Sequence, residues 1–461
     1  MKKGIVSLFA MATVVTGSWA VSAETLEEAL AAAYASNPQL MAQRASLRAT
    51  DENVSQAKSG FLPSLTGTYS YDKTYADRTS GGVTVDADGD TERYGLTAQQ
   101  NIFNGFSDRN SLRQAKSTVK AGRAQLQSVE QQILLEAVAA YMNVVRDEAV
   151  VELNKNNIVV LERQLQASND RFRVGEVTRT DVAQSEARLE NAKSTLLTAE
   201  ATLASSRAQY RRVVGRTPAG LETPTSQPEL PADLDKAIEI AMELSPGIQA
   251  ARYNEEAARY SVNAVKGSLL PKVAATASYS KTDTSGLSTT TGLPNNSNYE
   301  AAEIGVNVTV PFFSGGTKYS QVRQAKQIRS QRMMEIYQAE RVTQENVFVT
   351  WDQYRAAVGQ ITSTEASVRA NEIALEGVKQ EAYVGSRTTL DVLNAEQELL
   401  NSRVSNVRAQ RDVYVAAYSL ISSIGKLTAR DLGLGIDLYD AEEYYDEVGS
   451  SKIIGFGTDV D

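Results

Sequence analysis

Apolar residues along this chain follow two periods, and the changeovers fall at fixed places. Four short segments alternate strictly. Leu65, Tyr69 and Tyr71 share one parity, as do Tyr94, Leu96, Ala98 and Ile102; further on come Val273, Ala275, Ala277 and Tyr279, then Ile304, Val306, Val308 and Val310. The opposite parity carries Thr66, Thr68, Ser70, Thr97, Gln99, Asn101, Asn307 and Thr309. Period two with one apolar and one polar face predicts β-strands. Each is expected to run about ten residues, the length of a tilted membrane strand. Between the paired strands, TSGGVTVDADGD (79–90) and SGLSTTTGLPNNSN (285–298) read as long polar hairpin loops.

Elsewhere the period is helical. A moderate helix precedes each strand pair, over roughly 25–60 and 232–268, interrupted at Asn37-Pro38 and Ser245-Pro246. After Gly105 and Gly316 the pattern stays helical from Ser107 to Phe172 and from Thr317 to Tyr383, which at 1.5 Å per residue makes helices about 100 Å long. The returning helices carry heptads. Val182, Leu189, Leu196, Leu203 and Tyr210 lie on one seam, with Ser185, Ala192, Ala199, Ser206 and Val213 beside it. The second copy reads Val392, Leu399, Asn406, Val413 and Leu420, with Ala395, Ser402, Ala409, Ala416 and Ser423. Large residues alternating with small ones favour close, knobs-into-holes packing of several helices.

The order of elements repeats. KSGFLPSL (58–65) returns as KGSLLPKV (266–273) at an offset of 208; NIFNG (101–105) returns as PFFSG (311–315), and VGEVTRTDV (174–182) as VGSRTTLDV (384–392), at an offset of 210. A duplication of this length is one structural unit built twice. Of the ten prolines none falls in 64–217 and none after 311, so the long helices run unbroken; the cluster Pro218 to Pro231 separates the copies. The expected organisation is a signal segment at 1–23, a first repeat at 24–216 (hairpin 64–103, helical hairpin 106–214), a linker at 217–231, a second repeat at 232–425 (hairpin 272–313, helical hairpin 316–424) and an acidic tail at 426–461.

Composition then narrows the chemistry. The chain has no cysteine and no histidine, which removes thiolate, Cys/His zinc and imidazole chemistry together with disulfides and a lipidated N-terminal Cys. No catalytic residue, cofactor or metal is expected. Lys2 and Lys3, an apolar run to Trp19 and Val21-Ser22-Ala23 read as a secretory signal cleaved between Ala23 and Glu24. Removing the two lysines takes the net charge from −9 to −11, and an acidic exported chain is a poor nucleic-acid binder.

Four strands cannot close a barrel, and an open sheet edge is not viable in hydrocarbon. Three copies would supply twelve strands, within the range of outer-membrane barrels, with the apolar face toward lipid and the Thr/Ser/Asn/Gln face toward a wet lumen. Tyr69, Tyr94, Phe103, Tyr279, Phe312 and Phe313 are candidates for the aromatic girdles.

With its paired Asn-Pro and Ser-Pro breaks, FLPSL and LLPKV before the strands, FNG and FSG before the long helices and the two VG turns, the chain resembles the TolC family of outer-membrane exit ducts from Glu24 to about Gly435. The resemblance implies a mainly α fold, a long-helix coiled-coil α-barrel whose four strands per chain complete a trimeric 12-stranded transmembrane β-barrel. It implies a homotrimer in outer-membrane lipid, with a periplasmic adaptor (membrane fusion) protein and an inner-membrane ABC, RND or MFS transporter as partners. The function implied is passive passage for a type I secretion or drug-efflux system. The missing lipidated cysteine leans toward the secretion-type members.

The turns RFRVGEVTRTD and AYVGSRTTLD place Gly175 and Gly385 where the chain reverses, with Thr180, Asp181, Thr388 and Asp391 near the start of the returning helices. Capping accounts for the glycines and for one hydroxyl at each turn. By resemblance these turns are the periplasmic tips that close the entrance and dock the adaptor. Arg387 matches a gate-latching arginine with Thr180 and Asp181 as its partners; Asp391 matches a carboxylate of a constricting ring. Asn394 stands where a second ring aspartate is usual, and a latching tyrosine is displaced by one residue to Tyr383. Val174, Gly175, Val177, Val384, Gly385 and Thr388 form the expected docking tips. The tail from Asp437, with Tyr439, Tyr444 and Tyr445, lacks periodicity; it either wraps the tunnel's equator or is disordered, and partial disorder is expected over the last ten residues. Two other readings compete. A secreted coiled-coil structural or adhesive protein leaves the alternating strands unexplained, and an exported carboxylate hydrolase lacks a fixed acid pair and a histidine base.

Overall fold

A computed structural model describes residues 24–287 and 293–451. The signal segment, with Ala23, and the final ten residues lie outside the described residues. The elements run α1 (Leu26–Ser36), α2 (Pro38–Ser59), β1 (Ser64–Ser80), β2 (Val83–Asn104), α3 (Ser107–Arg173), α4 (Arg179–Val214), α5 (Leu234–Leu244), α6 (Pro246–Gly267), β3 (Lys272–Gly286), β4 (Ser297–Thr309), α7 (Thr317–Tyr383), α8 (Thr389–Ser423) and α9 (Glu443–Ser451). Two compact units emerge. One comprises the described part of Met1–Ala33, Ala137–Gln227 and Thr364–Arg411; the other comprises Tyr34–Glu136, Pro228–Ser363 and the described part of Asp412–Asp461. The 67-residue helices α3 and α7 contribute to both.

The proline breaks have local causes. Asn37 sits extended ahead of Pro38, and its Oδ1 accepts the N–H groups of Gln39 (2.9 Å) and Leu40 (3.4 Å), so the residue that ends α1 caps α2. Asp233 caps α5 through the N–H of Lys236 at 2.7 Å.

The second unit holds the sheet. It is an antiparallel meander in the order β1-β2-β3-β4, so β1 and β4 each pair with one neighbour and present a free edge. Its register keeps the alternation in phase: Leu65, Ala98, Ala277 and Ile304 form one row, and Gly67, Leu96, Tyr279 and Ala302 the next on that face. The opposite face carries Thr66, Thr97, Ser278 and Glu303. Ile102 forms a bulge between Asn101 and Phe103, which brings Phe103 opposite Val273 on the apolar side. Along that row Leu65, Ala277 and Ile304 are exposed in this chain, Ile304 at 89 %, and Ala98 is half-buried.

Two strand expectations need correction. The strands are 17, 22, 15 and 13 residues long rather than about ten. The segment 79–90 is strand, not loop: Gly81 and Gly82 (φ 63° and 83°) make a two-residue turn, and pairing continues from Ser80 with Val83 down to Ser64 with Gln99. Two successive positive φ values match the right-handed strand twist and suit glycine. Of the expected loop 285–298, the ends 285–286 and 297–298 are strand, Leu287 bridges Pro294, and 288–292 lie outside the described residues.

The tail is also ordered over its described part. Tyr439 N–H donates to the Tyr34 hydroxyl (3.1 Å), the Tyr444 hydroxyl donates to Glu52 (2.8 Å), and Arg123 lies over the Tyr445 ring at 5.2 Å. The missing periodicity reflects attachment through tyrosines rather than through an apolar stripe. In the same unit Ala237, Ala241, Val347, Leu420 and Ile424 form a buried cluster.

Candidate functional site

The two helical-hairpin tips lie in the first unit. Below them the seam residues Leu189 and Ala192 are buried with Leu161 of α3 and Leu393 of α8, and the Ser168 hydroxyl meets that of the seam residue Ser185 at 3.1 Å. Small residues on the seam allow that approach.

Each tip is built the same way. α3 ends in a turn in which Gly175 N–H donates to Phe172 and Glu176 N–H to Arg171; α7 ends with Gly385 donating to Ala382 and Ser386 to Glu381. Gly175 and Gly385 both have φ 79°, the left-handed value this ending demands. The returning helices begin with a reciprocal cap. The Thr178 hydroxyl accepts from Asp181 N–H (3.3 Å) while Asp181 Oδ2 accepts from Thr178 N–H (2.8 Å) and from its hydroxyl (2.7 Å). Thr388 and Asp391 repeat this at 3.2, 2.9 and 2.8 Å. Both carboxyls are held below the usual aspartate range, Asp181 first by the Thr178 hydroxyl and Asp391 first by the Thr388 N–H.

The capping threonine of the first tip is therefore Thr178, and Thr180 is the second residue of α4, matching Leu390 in the repeat. Asp181 and Asp391 stand at equivalent places. The structure brings Arg387 to Glu381, Nε to Oε2 at 2.7 Å, rather than to Asp181; Asp391 is close enough to help hold the guanidinium charged, after Glu381. The first tip has an ion pair at matching height, Arg171 Nε to Glu176 Oε2 at 3.1 Å, with its polarity reversed. Asn394 accepts from Arg188 of α4 at 2.8 Å. Val174, Val384 and Tyr383 are open to solvent, Tyr383 at 90 % exposure. Sequence reading missed Arg171, Glu176, Arg188 and Glu381. The offset of 210 contains the signal, since it aligns Arg171 with Glu381.

Glu24, the expected mature N-terminus, is buried in this unit. Its backbone bridges Leu221, its carboxylate accepts from the Tyr210 hydroxyl (2.5 Å) and Arg216 (2.6 Å), and its carbonyl accepts from Tyr141 (2.7 Å). Burial is the main cause that raises both tyrosine pKa values. Among the described residues no group of acidic side chains is arranged to hold a metal ion.

Comparison with known proteins agrees with this duplicated plan. The model of the family described as outer membrane efflux protein matches twice, over residues 29–216 and 237–426. The chain belongs to that family. It is 38% identical to the outer membrane efflux protein BepC of Brucella suis, over 95% of this chain and 92% of the relative. It is 26% identical to the outer membrane protein TolC of Vibrio cholerae (94% and 97%) and 24% identical to the alkaline protease secretion protein AprF of Pseudomonas aeruginosa (87% and 84%). Among solved structures, the CmeC outer membrane channel of Campylobacter jejuni superposes with a TM-score of 0.75 at 18% identity, covering 92% of this chain and 89% of that one. VceC of Vibrio cholerae gives 0.72 at 21% identity, covering 87% and 96%. The efflux-family assignment places the protein in the outer membrane and makes its role transport.

Proposed function

We propose that three copies pair edge to edge, β1 of one with β4 of the next, into a twelve-stranded barrel that continues as a helical tunnel. This assembly is a passive exit duct of a tripartite system for type I secretion or drug efflux, energised by an inner-membrane transporter through a periplasmic adaptor. One observation carries the reading: a four-stranded sheet with an exposed apolar face and two free edges. In lipid each unpaired backbone group costs several kcal/mol, so the edges need partners, and identical copies supply them. The relatives' names cover both efflux and protease secretion, so the reading leaves both cargoes open.

The tips at Gly175 and Gly385 are the entrance. Val174, Val177 and Val384 offer an apolar crown for an adaptor. Three copies of Asp391 ring the passage and attract cations, while Arg387 leaves Glu381 for Asp181 of an adjacent hairpin when the entrance closes. Asn394 lowers the charge of the ring's second level, and Tyr383 adds a hydroxyl at the closed tip.

Detergent extraction of outer membranes followed by light scattering tests the assembly: the particle is expected at three times the mass of the heat-denatured chain, and to conduct in planar bilayers. A monomer that stays soluble without detergent overturns the reading.

A further inference from the structure

The second unit contains a cavity of about 410 Å³ roofed by Leu438, Tyr439 and Ala441 of the tail. Its walls carry guanidinium groups with unmet donors. Arg44, on α2, is 8 % exposed. Its Nη2 donates to the Tyr34 carbonyl at 3.2 Å and its Nη1 reaches only the Met41 sulfur at 3.6 Å, while its Nε–H is buried without an acceptor. The guanidinium is flanked by the rings of Tyr34 and Tyr439, at 4.5 and 5.0 Å. Arg123, on α3, gives Nη1 to Glu442 of the tail, and its Nε–H is likewise buried and unmet. Arg430 completes the basic wall.

The acidic residues of the wall do not satisfy these donors. Glu130 lies within electrostatic reach of Arg44, but its Oε1 accepts the Ala429 N–H at 2.7 Å, and burial raises its pKa, favouring the neutral acid. Asp431 Oδ2 accepts the Thr428 hydroxyl at 2.7 Å. Arg44, Arg123 and Arg430 all line this one cavity, and among the described residues Arg44 has no bonded anion; a buried cation without one is costly and calls for an oxygen acceptor carrying negative charge.

We propose that this cavity binds a small oxyanion, a phosphate or carboxylate group, held by Arg44 and Arg123 and enclosed by the tail. Arg44, itself flanked by two tyrosine rings, grips the ligand, and Arg123 couples it to Glu442. Occupancy therefore fastens the segment 438–442 to α2 and α3.

Calorimetric titration of inorganic phosphate, and separately of acetate, into the full chain in detergent tests this at constant ionic strength made up with chloride. At least one anion is expected to bind saturably, at least tenfold more weakly in Arg44→Gln, and to slow proteolytic cleavage within 436–451. Binding of phosphate alone identifies a phosphoryl ligand; binding of both admits a carboxylate. Arg123→Gln provides the second variant should Arg44→Gln fail to assemble. No saturable binding in the parent protein overturns the proposal, and so does binding unchanged by either substitution.

Discussion

At the end of α3 the arginine belongs to the helix and the glutamate to the turn: Arg171 reaches forward to Glu176. At the end of α7 the order reverses, and Arg387 of the turn reaches back to Glu381 of the helix. The backbones meanwhile coincide, with glycines at φ 79° and the same Thr–Asp cap. The difference separates two jobs. Chain reversal is set by glycine and the cap, which the duplication has kept in both copies. Charge at the tip is set by solvent-exposed pairs, which stabilise little and so can diverge without unfolding the turn. The first tip offers an acid directly after its glycine and the second a base two residues after its own.

The largest expected effect is on the shared part. Thr178→Val and Thr388→Val should each cost about 1 kcal/mol of local stability, read as roughly fivefold faster amide exchange in the first turn of α4 or α8. A response at only one tip would break the equivalence. Next comes the part that differs. Arg387→Ser should raise bilayer conductance severalfold by loosening closure, while Arg171→Ser leaves it near the parent value; equal conductance in all three proteins would remove Arg387 from the gate.

Protonation sharpens the contrast further. Asp181 and Asp391 have depressed pKa values, so their caps are intact above the ordinary aspartate value of 3.8 and fail as pH falls through the lower folded value. Asp51, 2 % exposed with neither carboxylate oxygen bonded, behaves oppositely: burial pushes it up to about 6, and stability is lost as pH rises from 3.8 through that value. Asp51→Asn should therefore raise the thermal midpoint at pH 7.5 and leave it unchanged at pH 3.5; a fall at pH 7.5 would show that the charge is compensated. The smallest effect is expected from exchanging the first pair, Arg171→Glu with Glu176→Arg, which should alter stability by less than about 0.5 kcal/mol.

The helices were legible because proline marks their breaks and the seams repeat cleanly from Val182 to Val213. Strand parity was legible too, since each apolar row keeps its phase across the sheet. Strand length was not. Beyond Tyr71 the alternation dissolves into Asp, Thr and Gly, because past the apolar band both faces of the hairpin meet water and composition no longer distinguishes strand from loop. At the tips, Thr180 competed with Thr178 because both lie near the helix start; only hydrogen-bond geometry, or strict use of the 210-residue offset, selects the cap. The tail was opaque because tyrosine hydroxyls and cation–π contacts leave no periodic trace.

The first β-hairpin outreaches the second. From Ala76 to Ser80, and from Val83 to Ala87, β1 and β2 pair only with each other among the described residues, because β3 stops opposite Gly89 and the Leu287 N–H that follows it donates to the Asp88 carbonyl. That leaves a ribbon about 17 Å long. A peptide inserted between Gly81 and Gly82 would sit at the far end of this stalk, where no neighbouring strand depends on its conformation. The turn is thus a natural graft point for an epitope or fluorophore that reports on the protein from outside while the wall beneath it stays intact.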